Sequence, residues 1–127
     1  MTLPIDEQNP RTRPIIACAI EVHDALGQGL LEAPYPAAMQ IALTSAGDKV
    51  EREISFPALF RGVEIGHYRP DLIVNDEVVV EIKSVERYDP VFLAQMLTYL
   101  RVTRLKVGLI INFNRPRVTE GIKRVSL

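Results

Sequence analysis

The sequence has little cysteine, little histidine and almost no net charge, and each shortage argues against a class of protein. A single cysteine, Cys18, excludes an intramolecular disulfide, and one cysteine with two histidines argues against a Cys/His zinc site. Cys18 lies in an apolar helical pattern and is expected to be a buried, inert thiol. The net charge of −1 at pH 7 lacks the basic surplus that is usual in nucleic-acid-binding proteins, although a local basic patch is compatible with it.

Long apolar runs are also missing. No stretch approaches the length of a membrane span, and the first 13 residues are polar, without the apolar core of a signal peptide. We therefore expect a cytoplasmic protein with no membrane contact. The 127 residues predict a single domain at 14–127, preceded by a flexible N-terminal arm at 1–13.

The order of predicted elements is typical of an α/β domain with a mixed sheet. Apolar spacing and helix start signals predict helices at 14–26, 36–46 and 90–101. Alternating or β-branched runs predict strands at 49–56, 63–74, 78–84 and 106–111, and an edge strand at 122–127. The third helix has the length of a crossover, so the strand after it is expected to be parallel to an earlier strand.

One predicted hairpin gathers charged residues on a single face. A three-residue loop at Asn75–Glu77 sets Asp71 opposite Glu81, and Lys83, two residues further on, points to the same face. The opposite face is entirely apolar. Two carboxylates and an ammonium are the equipment of a divalent-metal site with an adjacent charge stabiliser. A solvated sheet face is the alternative, although opposed like charges across a ladder are unfavourable.

Other polar residues are candidates to join this face. Gln95 and Tyr99 are spaced i, i+4 on the third predicted helix and so share one side of it. Gln95 is expected to orient a lysine, to contact a phosphate, or to cap a loop carbonyl. Glu32, where the chain enters the second helix, is a candidate third carboxylate or a solvated residue favoured by the helix dipole. His23, on the apolar stripe of the first helix, is expected to be a satisfied, partly buried histidine.

Two prolines affect where the second helix is expected to begin. A proline disfavours the α region for the residue before it, here Ala33 and Tyr35. A proline well inside a helix costs about 3 kcal/mol. We therefore expect the helix to begin at Pro36, with Glu32 on an irregular turn before it.

The chain resembles a known family in several places. Residues 29–35, Gly-Leu-Leu-Glu-Ala-Pro-Tyr, match the Gly-x-x-Glu-x-x-Tyr signature of the GxxExxY proteins. Pro70-Asp71 followed by Glu81-Ile82-Lys83 is similar to the PD-(D/E)XK signature of the nuclease superfamily to which those proteins are assigned. Flanking residues 21–27, 66–69 and 107–113 agree as well, so the resemblance covers about residues 15–126.

The resemblance implies a restriction-endonuclease-like core, with a mixed central sheet flanked by helices. The implied order is α-β-β-β-α-β with an extra N-terminal helix. Asp71, Glu81 and the backbone carbonyl of Ile82 are implied ligands of Mg²⁺ or Mn²⁺. Lys83 is the implied residue beside the attacking water, which it stabilises or deprotonates.

The resemblance also implies roles for residues outside the hairpin. Glu32 corresponds to the helix glutamate that completes such sites, and Gln95 to a polar position on the following helix. The implied reaction is metal-dependent hydrolysis of a phosphodiester.

Basic residues offer weaker signals of nucleic-acid contact. Arg101, Arg104 and Arg115, together with Tyr99, are expected to contact the nucleic acid if they meet near the hairpin face, and to form a solvated rim if they do not. Two functions stay open at this point. One is a Mg²⁺-dependent nuclease that acts on DNA in preference to RNA. The other is a non-catalytic module of the same fold that works through protein–protein contacts, including those of a homo-oligomer.

Overall fold

Three helices, eight strands and a short 3₁₀ helix make up the computed structural model, which describes residues 2–3, 9–29 and 31–127. The helices are α1 (Arg13–Leu26), α2 (Pro34–Ser45) and α3 (Val91–Thr103), and the 3₁₀ helix covers Val118–Gly121. The strands are β1 (Thr2–Leu3), β2 (Val50–Arg52), β3 (Phe56–Phe60), β4 (Val63–Tyr68), β5 (Leu72–Val74), β6 (Val78–Lys83), β7 (Val107–Asn112) and β8 (Ile122–Ser126). No helix within these ranges is long and apolar enough to cross a membrane.

Six strands form a mixed central sheet in the order β1-β8-β7-β6-β5-β2. Strands β6 and β7 are parallel, and the other neighbours in this sheet are antiparallel. A parallel connection needs a dozen or more residues, and the crossover through α3 supplies them. This arrangement confirms the predicted α/β domain, its mixed sheet and its parallel strand pair.

Helices cover both faces of the sheet. Helices α1 and α2 pack on one face, over Leu72, Val80 and Ile82. Helix α3 packs on the other face, over Val79 and Ile110. The apolar side of the predicted hairpin is therefore core, and the side that carries the charged residues lies on the face covered by α3.

The second helix begins at Pro34, two residues before its predicted start at Pro36. Ala33 has α-region dihedrals, φ −53° and ψ −41°, and Tyr35 is helical. The prediction that the prolines exclude both residues from that region was wrong. Both prolines lie in the first turn, where the N–H groups have no partner within the helix, so a missing N–H costs little. Glu32 remains outside the helix, as predicted.

Two predicted strands are each divided into two. The 49–56 strand divides into β2 and β3 beyond Glu53, a residue with φ 52°, and the 63–74 strand divides into β4 and β5 around Pro70. Positive φ redirects an extended chain, and proline lacks the N–H that a ladder needs. Within the described part of the chain, β3 and β4 pair only with each other, as a hairpin separate from the central sheet.

The outer edge of the sheet lies in the predicted N-terminal arm. Thr2 and Leu3 pair with β8, so β8 is an inner strand rather than the predicted edge. Residues 1 and 4–8 of the arm lie outside the described residues, and its flexibility stays a prediction.

Two residues of α1 behave as expected. His23 is buried, and its Nε2 lies 2.8 Å from the carbonyl oxygen of Arg115. Cys18 is a buried free cysteine, and burial raises the pKa of its thiol. Both residues therefore belong to the packing of α1 rather than to a reactive site.

Candidate metal centre and active site

The hairpin of β5 and β6 brings two carboxylates together at its open end. Its turn covers Asn75–Glu77 as predicted, and the register continues from the pair Leu72–Val80 to Asp71 and Glu81. The Ile82 N–H donates to Asp71 Oδ2, and the Asp71 N–H donates to Glu81 Oε1, both at 2.8 Å. Each carboxylate thus holds the backbone of the other strand with one oxygen. The second oxygens, Asp71 Oδ1 and Glu81 Oε2, take no part in these bonds.

Burial makes this carboxylate pair electrostatically unfavourable. Glu81 is only 4% exposed, and burial together with the charge of Asp71 raises its pKa to about 8. Burial also raises the pKa of Asp71, although the Ile82 N–H and the Lys83 ammonium act in the opposite direction. Neutralising both groups requires protons or a cation.

Lys83 lies on the same face, as the two-residue spacing predicts. Its Nζ is 3.8 Å from Glu81 Oε2 and donates to Gln95 Oε1 at 3.3 Å. The same Nζ lies 4.5 Å from the centre of the Phe92 ring. The ammonium is therefore held between a carboxylate, an amide and an aromatic face, with 14% of the side chain exposed.

Helix α3 supplies the residues that orient this lysine. Gln95 Nε2 donates to the Tyr99 hydroxyl at 3.0 Å, so the two residues share a face as their spacing predicts. The contact of Gln95 Oε1 with Lys83 agrees with one of the roles open to Gln95 in the sequence, the orientation of a lysine. Tyr99 is 7% exposed, and burial, Glu81 and Asp71 raise its pKa to about 12. Tyr99 therefore lies behind Gln95, without the exposed ring face that stacking on a nucleobase needs.

Glu32 lies at the margin of the carboxylate pair. Burial raises its pKa, and the charges of Lys83, which lowers it, and Asp71, which raises it, also act on this carboxyl. The segment that leads to Glu32 is tied to the end of β6, because the Ser84 hydroxyl donates to the Gly29 carbonyl oxygen. Over residues 9–29 and 31–127, no three Asp, Glu, His or Cys side chains converge into a metal cage. Glu32 thus faces the site without completing a ligand set.

The backbone carbonyl of Ile82 faces the same gap as Asp71. In a strand, the N–H and C=O of one residue point to one side, and those of the next residue point to the other. The Ile82 N–H donates to Asp71, whereas the Lys83 carbonyl accepts from the Phe113 N–H at 2.9 Å on the β7 side. The Ile82 carbonyl therefore points toward β5 and Asp71.

The donor set fits a small hard cation. It contains two carboxylates, each with one oxygen outside the reciprocal backbone bonds, and the Ile82 carbonyl. Mg²⁺ favours such oxygen donors, binds through one or two carboxylates, and keeps several waters. The absence of a third carboxylate in the set suits Mg²⁺ or Mn²⁺ better than Ca²⁺, which takes six to eight oxygen ligands.

The predicted basic residues divide between the two ends of the sheet. Helix α3 runs from the site back toward the hairpin turn, because β7 begins beside the first residue of β6. A surface pocket joins Thr103 and Leu105 of this end with Asp76 of the turn. Arg104 is exposed at this far end, and Arg101 is exposed about one helical turn before it. Neither arginine meets the carboxylate pair.

Arg115 lies at the site end. Its guanidinium donates to the carbonyl oxygens of Val85, at 3.1 Å, and Asn114, at 2.8 Å. It lines a small pocket together with Lys83. Arg115 is therefore the one predicted arginine that the fold brings beside the catalytic candidates.

Two positioning residues were not singled out in the sequence. Buried Asn112 lies beside Lys83 in the parallel register and bonds the Val85 N–H and carbonyl through its side chain, at 3.0 and 2.9 Å. Ser84 ties the same loop to Gly29. The sequence did contain a signal for Asn112. It is a polar residue at the carboxyl end of β7, and the carboxyl ends of parallel strands such as β6 and β7 meet at one edge of a sheet.

Comparison with known proteins agrees with this geometry. The model of the PD-(D/E)XK nuclease superfamily matches residues 9–125, a range that includes the whole β5–β6 hairpin, α3 and β7. Neither the curated proteins nor the solved structures gave a match. The mixed sheet between helices is the restriction-endonuclease-like arrangement that the sequence predicts. The chain belongs to the PD-(D/E)XK nuclease superfamily.

Proposed function

We propose that this protein is a metal-dependent nuclease that hydrolyses phosphodiester bonds in DNA. The observation that carries the proposal is the convergence of half-buried Asp71 and buried Glu81 with a lysine held by Gln95. A structural role alone gives no reason to place two carboxylates in one partly dry site beside a single ammonium. Membership of a nuclease superfamily supports the same reaction class.

Asp71, Glu81 and the Ile82 carbonyl would hold Mg²⁺ or Mn²⁺. When bound, the ion would neutralise charge on the phosphate and lower the pKa of the attacking water. The chain's own contribution is to fix the two carboxylates through reciprocal backbone bonds, so that their remaining oxygens are oriented before the ion arrives.

Lys83 supplies the positive charge that the reaction needs beside the phosphate. Gln95 and the Phe92 ring restrict its ammonium, which can therefore donate to the attacking water and stabilise the developing negative charge. Glu32, at the margin of the site, would accept a proton from that water or hold it by a hydrogen bond. Tyr99 keeps the Gln95 amide in the orientation that presents its oxygen to Lys83.

We also propose that the chain is a GxxExxY protein, because the first and last residues of that signature contact each other here. The Tyr35 hydroxyl donates to the Gly27 carbonyl at 2.8 Å, and its ring stacks on Phe113 at 4.4 Å. A Cβ atom at Gly29 would lie 2.7 Å from the Tyr35 hydroxyl oxygen, so only glycine fits without a shift. Both residues thus fix the turn that carries Glu32.

A nuclease assay with matched variants tests the activity. Supercoiled, linear and branched DNA and RNA are incubated with Mg²⁺, Mn²⁺ or EDTA. We expect cutting that requires the metal and falls by about 10³-fold or more in Asp71→Ala and Lys83→Ala. Asp76→Ala, at the other end of the hairpin, is the control and keeps the wild-type rate. Cutting that survives the first two variants would show that another protein in the preparation is responsible.

An interaction module of the same fold is the second candidate, and the β3–β4 hairpin favours it. Leu59, Phe60, Val63 and Ile65 of this hairpin are each more than half exposed. Clustered exposed apolar side chains mark contact surfaces between proteins. This reading predicts no cutting and no metal binding, together with an oligomer in light scattering that Ile65→Asp and Phe60→Asp disrupt.

A further inference from the structure

A small pocket adjoins Lys83 on the side away from Asp71. It lies toward β7 and β8, where Ile110, Asn112 and Gly121 form part of its wall. Its volume of about 40 Å³ is room for roughly three water molecules. That space suits a small group such as a phosphate.

Three cations line this pocket against one carboxylate. The cations are Lys83, Arg115 and Lys123, and the carboxylate is Glu120. Glu120 Oε1 accepts a hydrogen bond from the Arg117 N–H at 3.2 Å, and the three cations outnumber this carboxylate in the pocket lining. Concentrated positive charge with a guanidinium fork and two ammonium groups is the chemistry that binds phosphate.

The cations are held in place before any ligand binds. Lys123 Nζ lies 4.1 Å from the centre of the Tyr88 ring, and Lys83 Nζ lies 4.5 Å from that of Phe92. The two rings contact each other edge to face, with 5.4 Å between their centres. One aromatic pair therefore holds both ammonium groups at the wall of the same pocket.

The sheet register sets the distance from the carboxylate pair. Glu81 is beside Ile110 of β7, and Ile110 is beside Lys123 of β8, on the face covered by α3. Two strand spacings separate Glu81 from Lys123, which is about 10 Å. This separation favours, for Lys123, a phosphate other than the one that Asp71 and Glu81 address.

We propose that this pocket binds a second phosphate group of the nucleic-acid strand, next to the one that is hydrolysed. The inference rests on the proposed nuclease function and extends it to substrate placement. Lys83 stands between the two positions, so a strand bound in the pocket is held in register with the carboxylate pair. The pocket contributes affinity and placement, and the carboxylate pair contributes chemistry.

Binding without catalysis tests the pocket. Fluorescence anisotropy in EDTA measures the affinity of a labelled single-stranded DNA for wild type and Lys123→Ala over a range of salt concentrations. We expect affinity to fall about tenfold, as for a lost charge-assisted hydrogen bond. The salt dependence should lose about one unit of slope. Lys106→Ala removes the same charge from an exposed lysine at the far end of the sheet and is the matched control.

The DNA carries either a 5′-phosphate or a 5′-hydroxyl, and inorganic phosphate is added as a competitor. An equal effect of Lys123→Ala on both DNAs assigns the pocket to an internal phosphate, and an effect on the phosphorylated DNA alone assigns it to a terminal one. Competition by inorganic phosphate that Lys123→Ala weakens supports the pocket independently of DNA. Equal losses in Lys123→Ala and Lys106→Ala would overturn the proposal, because the effect would then be one of net charge.

Kinetics separate this proposal from the nuclease itself. In cleavage assays, Lys123→Ala should raise KM about tenfold and leave kcat within about twofold. Metal-dependent cutting with an unchanged KM in Lys123→Ala would overturn the pocket and leave the nuclease standing. DNA binding that depends on Lys123 in a protein that never cuts would overturn the nuclease and leave the pocket standing.

Discussion

The two ends of the β5–β6 hairpin carry the same kinds of charged group in opposite environments. At the turn, Lys49 Nζ lies 2.9 Å from Asp76 Oδ2, with both side chains mostly exposed. The Lys49 hydrogen bond lowers the pKa of Asp76, and the same bond raises the pKa of Lys49. Lys49 and Asp76 neutralise each other and are both in contact with water, so a further ion is not needed to balance the charge at this end.

At the open end, two carboxylates compete for one ammonium, and Glu81 is buried while Asp71 is half-buried. The pKa values of Asp71 and Glu81 are raised, although Lys83 lies 3.8 Å from Glu81 Oε2. The comparison teaches that burial and stoichiometry, rather than the presence of acidic residues, distinguish a candidate metal centre from a surface ion pair. Unfavourable local electrostatics of this kind are a common cost of functional sites in stable folds.

Metal binding should give the largest contrast between the two ends. Mn²⁺ at 100 times its Kd should stabilise the wild type by about 2.7 kcal/mol. Asp71→Ala should abolish this effect, because it removes one of the two carboxylate ligands, whereas Asp76→Ala should retain it. Differential scanning fluorimetry with Mn²⁺ and with EDTA measures the shift, and calorimetry gives the affinity. A shift of equal size in both variants would mean that the ion binds elsewhere.

Loss of the hydrogen bond between Lys83 and Gln95 should have the next largest effect. Gln95→Ala removes the acceptor of the Lys83 hydrogen bond and should lower kcat by about 10- to 100-fold. Gln95→Glu keeps an acceptor for Lys83 and should lose less of the rate than Gln95→Ala. Single-turnover cleavage measures both, and Thr98→Ala on the same helix is the control. Equal losses in the alanine and glutamate variants would contradict an orienting role.

The free energy of unfolding should change with pH in opposite directions at the two ends of the hairpin, because the pKa of Glu81 is raised and that of Asp76 is lowered. The folded pKa of Glu81 is about 8 against an ordinary 4.5, so between these values the folded protein holds a proton that the unfolded chain has lost. Metal-free stability should therefore fall as pH rises through this window and level off above it. Glu81→Gln should flatten the fall and raise the Tm by several degrees at pH 9.

Asp76→Asn provides the opposite case in the same measurement. The pKa of Asp76 is lowered, so its contribution is present at neutral pH and disappears only in acid. This variant should lose a little stability at neutral pH, and about 1 M salt should mask the difference. A fall between pH 5 and 8 that persists in Glu81→Gln would mean that another group titrates.

The site was predictable where its geometry is local. The three-residue turn and the period of two place Asp71, Glu81 and Lys83 correctly, because a hairpin register follows from its loop length. The i, i+4 spacing likewise places Gln95 beside Tyr99. In both cases the deciding contacts lie within one element or between two consecutive ones.

Prediction failed where distant segments decide the structure. Glu53 has the positive φ that separates β2 from β3, but it is neither glycine nor asparagine, so its residue type does not predict this conformation. Lys123 reaches the pocket only through the registers of β6 with β7 and of β7 with β8. Arg101 and Arg104 were grouped with the site because the direction of α3 relative to the sheet is a tertiary property.

The parallel pairing of β6 with β7 has a consequence for how the protein assembles. The acidic pair closes within one hairpin, a process that takes microseconds. Parallel pairing must wait for the crossover through α3, because non-local contacts form only after a longer loop has closed. We therefore expect the two acids to come together before the amine is anchored on α3.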